Sequence, residues 1–255
     1  MVYRLTDPSA AASLFEGWDE TLIWSCLQGV MGEIYADSAE HPVSAMAIIT
    51  DFTFFAGEPN EELVRFKPEN CTKTYMLMVP QNEEWSRIIE RCWSGRCGRI
   101  TRYAIKKEPD VFNREKLHRM AENLPDGCRL RPIDEELFRY ARETGWCRDW
   151  VGAYPDYETY RRLGFGFVLE KDGEVVAGVS SYTRYREGVE IEIDTHREHR
   201  RRGYATVCAA RMILEALDRG LYPSWDAANL WSVGLAEKLG YHLAHEYPTY
   251  EIYDY

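Results

Sequence analysis

Residues 189–217 switch hydrophobic period within one short stretch, and few folds accommodate that switch. Val189, Ile191 and Ile193 alternate with Glu190, Glu192 and Asp194, the period of a strand with one buried face. Beyond Thr195 the chain turns basic, with Arg200-Arg201-Arg202-Gly203-Tyr204-Ala205, and residues 205–217 read as an apolar helix. The expected order is therefore strand, basic turn, helix. A helix N-terminus offers N–H groups that lack intrahelical acceptors, together with the positive end of its dipole, so this junction suits an anion. Gly203 removes a Cβ where a diphosphate would approach the backbone, and three guanidiniums add fork-shaped donors.

The flanking segments have a definite order. Leu130-Arg131-Pro132-Ile133 and Asp134 lead into an amphipathic run. Residues 165–169 and 175–181 flank Lys171-Asp172-Gly173-Glu174, the pattern of a hairpin with an Asp-Gly turn. Residues 222–227 read as a strand. Asn229-x-x-Ser232 opens a helix that closes at Leu239-Gly240-Tyr241, and residues 247–253 supply a last strand. In this setting Arg200-x-x-Gly203-x-Ala205 resembles the Arg/Gln-x-x-Gly-x-Gly/Ala signature of the Gcn5-related N-acetyltransferases (GNAT). Asn229-x-x-Ser232 with Leu239-Gly240-Tyr241 resembles that family's second cofactor motif. The resemblance covers residues 128–255. The phrases 190–195, 203–206 and 225–229 also resemble the bacterial group that includes zwittermicin A self-resistance proteins.

The resemblance implies an α/β (α+β) GNAT fold, a mixed, mostly antiparallel twisted sheet flanked by helices. It implies acetyl-CoA as co-substrate and direct transfer to an amine. The pyrophosphate would rest on the amides of Arg201, Arg202, Gly203, Tyr204, Ala205 and Thr206, with Arg200 leading the turn. Backbone N–H groups near Ile193 and Thr195 would hold the pantetheine and polarise the thioester carbonyl. Asn229 and Ser232 would contact the cofactor from the next helix. Glu190 is the first choice for general base, through a water, and Glu192 the second; a solvated strand face is the alternative for both. A bulge on this strand would change which of them faces the substrate. The tyrosine that protonates the leaving thiolate in many family members is replaced by Ala236, which leaves Tyr241, Tyr247 or Tyr250 as substitutes, or no acid at all. Trp146, Trp150, Tyr154, Tyr157 and Tyr160 read either as a wall for a cationic acceptor or as core packing. His196 and His199 flank the turn with too few neighbouring ligands for a metal, and none is expected.

The net charge of −11 is spread over both halves; it disfavours nucleic acid and suits a cationic amine. No apolar run is long enough to span a membrane. Seven cysteines without a C-x-x-C pair read as reduced thiols, and with no secretory signature at the start the expected location is cytoplasmic. Oligomeric state is open, a homodimer among the options.

Residues 1–125 carry no cofactor signature. Residues 1–27 read as mostly helical, 29–35, 45–50, 52–55, 74–79 and 99–105 as strands, and 84–93 and 113–123 as helices, with a linker at 124–127. A strand ending near Asn82 and a helix with Trp85-Ser86 mirror Asn229 and Trp231-Ser232. Two domains are therefore expected: residues 1–125, either a degenerate GNAT-like repeat or an unrelated α/β domain, and residues 128–255, the acetyltransferase. The leading function is acetylation of a small amine, with an amine-containing antibiotic or metabolite as one option. A non-catalytic acyl-CoA-binding or regulatory module, and a protein N-terminal or Lys acetyltransferase, are the alternatives.

Overall fold

A computed structural model describes residues Met1–Tyr255. The chain divides into two compact units, Met1–Arg102 with Glu246–Tyr255, and Tyr103–His245.

In the first unit the chain runs β1 (Tyr3–Arg4), α1 (Thr21–Leu27), β2 (Glu33–Ala36), β3 (Ser44–Ile49), β4 (Phe52–Gly57), α2 (Glu61–Arg65), β5 (Tyr75–Pro80), α3 (Glu83–Cys92) and most of β6 (Cys97–Ile105). The first residues are less helical than their composition suggests. Tyr3–Arg4 pairs with β2, and Pro8–Phe15 forms a 3-10 helix capped by Asp7. Strands β2, β3 and β4 form an antiparallel meander, and β4 then pairs parallel with β5 across the α2 connection. The last strand of the chain also belongs here, with Tyr250–Tyr253 antiparallel to Tyr75–Met78.

The second unit contains α4 (Arg114–Glu122), β7 (Cys128–Pro132), α5 (Glu135–Glu143), α6 (Tyr157–Leu163), β8 (Gly166–Lys171), β9 (Glu174–Tyr185), β10 (Gly188–Thr195), α7 (Tyr204–Asp218), β11 (Tyr222–Ser224), β12 (Asp226–Ala227) and α8 (Leu230–Leu239). The final strand, β13 (Leu243–Tyr253), leaves this unit after His245. The sheet order is β11-β10-β9-β8-β7, antiparallel except for the β10/β11 pair. The Asp-Gly turn forms as expected: Asp172 and Gly173 both take positive φ, 51° and 90°, the geometry that matches the twist of a two-residue hairpin. Each unit thus holds the same succession, a three-stranded meander, a helix and a parallel strand: β2-β3-β4-α2-β5 in one, β8-β9-β10-α7-β11 in the other.

Two layers cover the second sheet. On one face Val189, Ile191 and Val179 pack against Val207, Ala210 and Ile213 of α7. On the other lie α5, α6 and a 3-10 turn, Arg148–Trp150. Trp150 is fully buried over Gly178, where a Cβ would come within 2.5 Å of the indole. Gly178→Ala should therefore push Trp150 off the sheet and cost about 1–3 kcal/mol, readable as a lowered denaturation midpoint.

Candidate active site

The site grows from the places where regular pairing stops. Strand β10 pairs with β11 only at Gly188, Val189 and Glu190, the last opposite Ser224. Trp225 then interrupts the predicted 222–227 strand, and Asp226 and Ala227 pair instead with Ala104 and Tyr103. Residues 191–195 of β10 therefore have a strand neighbour on one side only. The direction of their amides follows from one bond, His196 N–H to the Val176 carbonyl on β9, 2.9 Å. Residues two apart share a direction, so Asp194 and Glu192 also address β9. Ile193 and Thr195 address the side that β11 has vacated. Their N–H groups therefore face no strand acceptor on that side.

Beyond Thr195 the chain enters the arginine turn. Arg200 Nε donates to the Thr195 carbonyl at 3.3 Å, and Arg202 Nη2 to the Glu198 carbonyl at 3.3 Å. Arg201 takes a positive φ of 62° and lays its guanidinium 5.9 Å from the exposed Trp231 ring. Gly203, φ 84°, is the N-cap of α7 and supplies no side-chain cap. Every other α-helix in the chain has one, from Glu20, Asn60, Asn82, Asn113, Asp134, Asp156 or Asn229. Space beside Gly203 is open, with no atom within 4 Å of where a Cβ would stand. The cradle is narrower than the sequence suggests, because Thr206 and Val207 N–H groups both bond the Gly203 carbonyl, at 3.0 and 3.3 Å. The amides left for an anion are those ahead of Thr206. His199 stacks on Tyr204 and His196 meets Trp146 edge-on, so both histidines buttress the turn.

The corresponding turn of the first unit is built the opposite way. Helix α2 is five residues long, its N-terminus is taken by Asn60, and Glu61 and Glu62 fill its first turn. A phosphate would meet two carboxylates there rather than guanidiniums.

Asn229 and Ser232 sit together at the start of α8. Ser232 N–H donates to Asn229 Oδ1, 3.1 Å, and Trp225 Nε1 donates to Ser232 Oγ, 3.0 Å. Both side chains shape the helix start, and each retains a donor, the Asn229 amide nitrogen and the Ser232 hydroxyl. Trp225 itself is core, 4% exposed.

On the face of β10 away from α7, Glu190, Glu192 and Asp194 form a row. Their register partners on β9 are Thr183, Ser180 and Gly178, with a bulge between Glu190 and Ile191. Because the bulge lies before Ile191, the Ile193/Thr195 alternation is undisturbed. Glu190 is 5% exposed. Thr183 is fully buried beside it, and its hydroxyl has no hydrogen-bond partner, which marks a place for a water or a ligand atom. Asp194 is the residue the sequence reading missed. Burial, followed by the nearby Asp149 carboxylate, raises its pKa to about 6, against the pull of Arg200, Trp150 and Glu192.

Tyr241 is fully buried, with a pKa raised well above the phenol range by burial, then by the fields of Tyr222 and Glu190. Its hydroxyl donates to the Pro223 carbonyl at 2.7 Å, so proton delivery would require that bond to break. The Tyr250 hydroxyl is held by Glu90 in the first unit, 2.7 Å. Of the five aromatic residues at 146–160, Trp150, Tyr154 and Tyr160 are fully buried, and the two tyrosines bond Ser181 and Ser180. Those three are packing; Trp146 and Tyr157 remain partly exposed.

The profile of the GNAT acetyltransferase family matches residues 12–250. A Bacillus subtilis (strain 168) protein, Uncharacterized N-acetyltransferase YdfB, is 26% identical over 243 residues, which cover 90% of this chain and 89% of that one. A crystal structure of a GCN5-related N-acetyltransferase-like protein from Streptococcus suis 89/1591 superposes with a TM-score of 0.90 at 42% identity, covering 96% of this chain and 98% of that one. A tandem GNAT protein from the clavulanic acid biosynthesis pathway is 10% identical with a TM-score of 0.50, covering 100% and 99% of the two chains, a likeness of fold alone. The family profile spans both units and nearly the whole chain: the chain belongs to the GNAT acetyltransferase family and is an N-acetyltransferase.

Proposed function

We propose that the chain moves the acetyl group of acetyl-CoA directly to the amine of a small molecule. The observation that carries this reading is the one uncapped helix, α7, starting at an open glycine beside a strand edge left vacant by β11. The donor set suits the co-substrate: amides of Arg201 to Ala205 for the pyrophosphate, Ile193 and Thr195 N–H for the pantetheine and thioester oxygen, Asn229 and Ser232 for further contacts. Acetyl-CoA supplies an activated acyl group. The amine attacks its carbonyl carbon, the C–N bond forms, the C–S bond breaks, and the amine proton passes to a carboxylate of β10. Glu190 is that base in this reading, through a water for which the orphaned Thr183 hydroxyl is an anchor. A specific observation favours Asp194 as the alternative: it stands between the two polarising amides and titrates near 6. No tyrosine is assigned as acid, and the thiolate leaves into solvent.

An acidic protein with a carboxylate row suits a cationic acceptor, and an amine-containing antibiotic of the zwittermicin kind is one such class. We read the first unit as a degenerate GNAT-like half, since it repeats the meander–helix–parallel-strand order while closing its helix start with Asn60, Glu61 and Glu62. Seven free thiols and no helix long and apolar enough to cross a membrane accord with a cytoplasmic enzyme. The test is twofold. Acetyl-CoA should raise the melting temperature at concentrations well above its Kd, by linkage, and thiol release should appear with some member of an amine panel. Thermal protection without release across a broad panel would favour an acyl-CoA sensor; no protection would remove acetyl-CoA from the reading.

A further inference from the structure

Helix α4 precedes the first strand of the acetyltransferase fold, yet it packs on α7 within the second unit. Between them, beside the arginine turn, lies a pocket of about 470 Å³. Lys116 and Arg119 of α4 line one side, Arg202, Gly203 and Thr206 the other, and Lys238 of α8 closes the end. Four cations thus converge in a chain of net charge −11, and no carboxylate lines the pocket. Three of them bond only neutral oxygens: Lys116 the Lys238 carbonyl at 2.7 Å, Lys238 the Thr206 hydroxyl at 3.5 Å, Arg202 the Glu198 carbonyl at 3.3 Å. The partner of Arg119 is Glu115, 3.3 Å away, in an exposed pair outside the lining. Cations gathered this way repel one another unless an anion sits among them.

In the acetyl-CoA reading the amides ahead of Thr206 take the pyrophosphate. Coenzyme A carries a third phosphate, on the ribose 3′ oxygen, which is a dianion near neutral pH. We propose that this pocket receives that 3′-phosphate, and that Lys116 and Arg119 thereby make the enzyme select acetyl-CoA over acyl carriers that lack it. The inference rests on the acetyl-CoA reading. Because the pocket shares Arg202, Gly203 and Thr206 with the turn, one ligand can occupy both. Lysine and arginine reaching from α4 act on a phosphate as charge-assisted donors, together worth roughly tenfold in affinity at a solvent-open site.

The test compares acetyl-CoA with acetyl-dephospho-CoA. The wild-type enzyme should prefer the former by about tenfold or more in kcat/KM. Lys116→Ala with Arg119→Ala should abolish the preference by lowering the acetyl-CoA value about tenfold while the dephospho value stays within about twofold. Arg119→Glu, at an exposed helix position, should act in the same direction if the double variant folds poorly. Calorimetry gives a readout without turnover: coenzyme A should bind the wild type about tenfold more tightly than dephospho-coenzyme A, and the variants should lose that difference. Equal use of both carriers by the wild type overturns the inference while leaving the cofactor reading intact. Failure to bind or use acetyl-CoA at all removes both.

Discussion

Gly203→Val should raise the KM for acetyl-CoA by about 10- to 100-fold with a much smaller change in kcat. Two effects act together. At φ 84° a β-branched residue is strained, so the turn shifts toward negative φ and the amides ahead of Thr206 lose their common aim. The open space beside Gly203 also fills with methyl groups where a diphosphate would approach. Losing two or three amide contacts to a charged group costs about 1.5–3 kcal/mol each, so the stated range allows for partial rescue by the arginines. Stability should fall by about 1–3 kcal/mol, from backbone strain at φ 84° alone, because the added side chain meets no protein atom within 4 Å at its Cβ. Circular dichroism melts beside steady-state kinetics separate the two. A KM unchanged in a well-folded Gly203→Val variant would take the pyrophosphate off this turn.

The turn was readable in sequence because its physics is local. Gly203, the arginines and the period change all lie within one strand–turn–helix, and Asp172-Gly173 encodes its hairpin in two residues. What the sequence concealed depends on pairing between distant strands. Residues 222–227 have a uniform β-rich pattern, and only tertiary structure breaks them at Trp225, where Asp226 and Ala227 turn to Tyr103 and Ala104. The last strand carries its pattern plainly but not its partner, β5. Helix α2 is too short for a helical period to emerge between Pro59 and Phe66. Tyr241 reads as a free phenol in one dimension, since the Pro223 carbonyl that holds it is a backbone atom. Asp194 was missed for a related reason. It differs from Glu190 and Glu192 through burial and through Asp149, which arrives from a turn 45 residues earlier in the chain.

That environment makes Asp194→Asn the most informative substitution on the carboxylate row. The carboxyl titrates near 6 in the folded chain against 3.8 as its ordinary value. An acid whose folded pKa is raised holds its proton longer in the native state than in the unfolded chain, so stability falls as pH rises from about 4 to about 6. Above that window the deficit is complete and constant, on the order of 3 kcal/mol. Asparagine keeps the shape and removes the charge, so at pH 8 the variant should be more stable than the wild type by about that amount, and at pH 4 the two should converge. Activity should move the other way. The wild-type kcat/KM should rise through pH 6 as Asp194 ionises, either to accept the amine proton or to attract a cationic acceptor. In Asp194→Asn the plateau should fall about 10²-fold or more and the inflection near 6 should vanish. Glu190→Gln should lower the plateau by a similar factor but leave that inflection in place, because the group that titrates there is untouched. If instead Glu190→Gln erases the inflection while Asp194→Asn stays fully active, then Asp194 is a buried bystander. The opposite movement of stability and rate in one variant is hard to obtain from a merely structural carboxylate, whose loss would lower the melting point together with the activity.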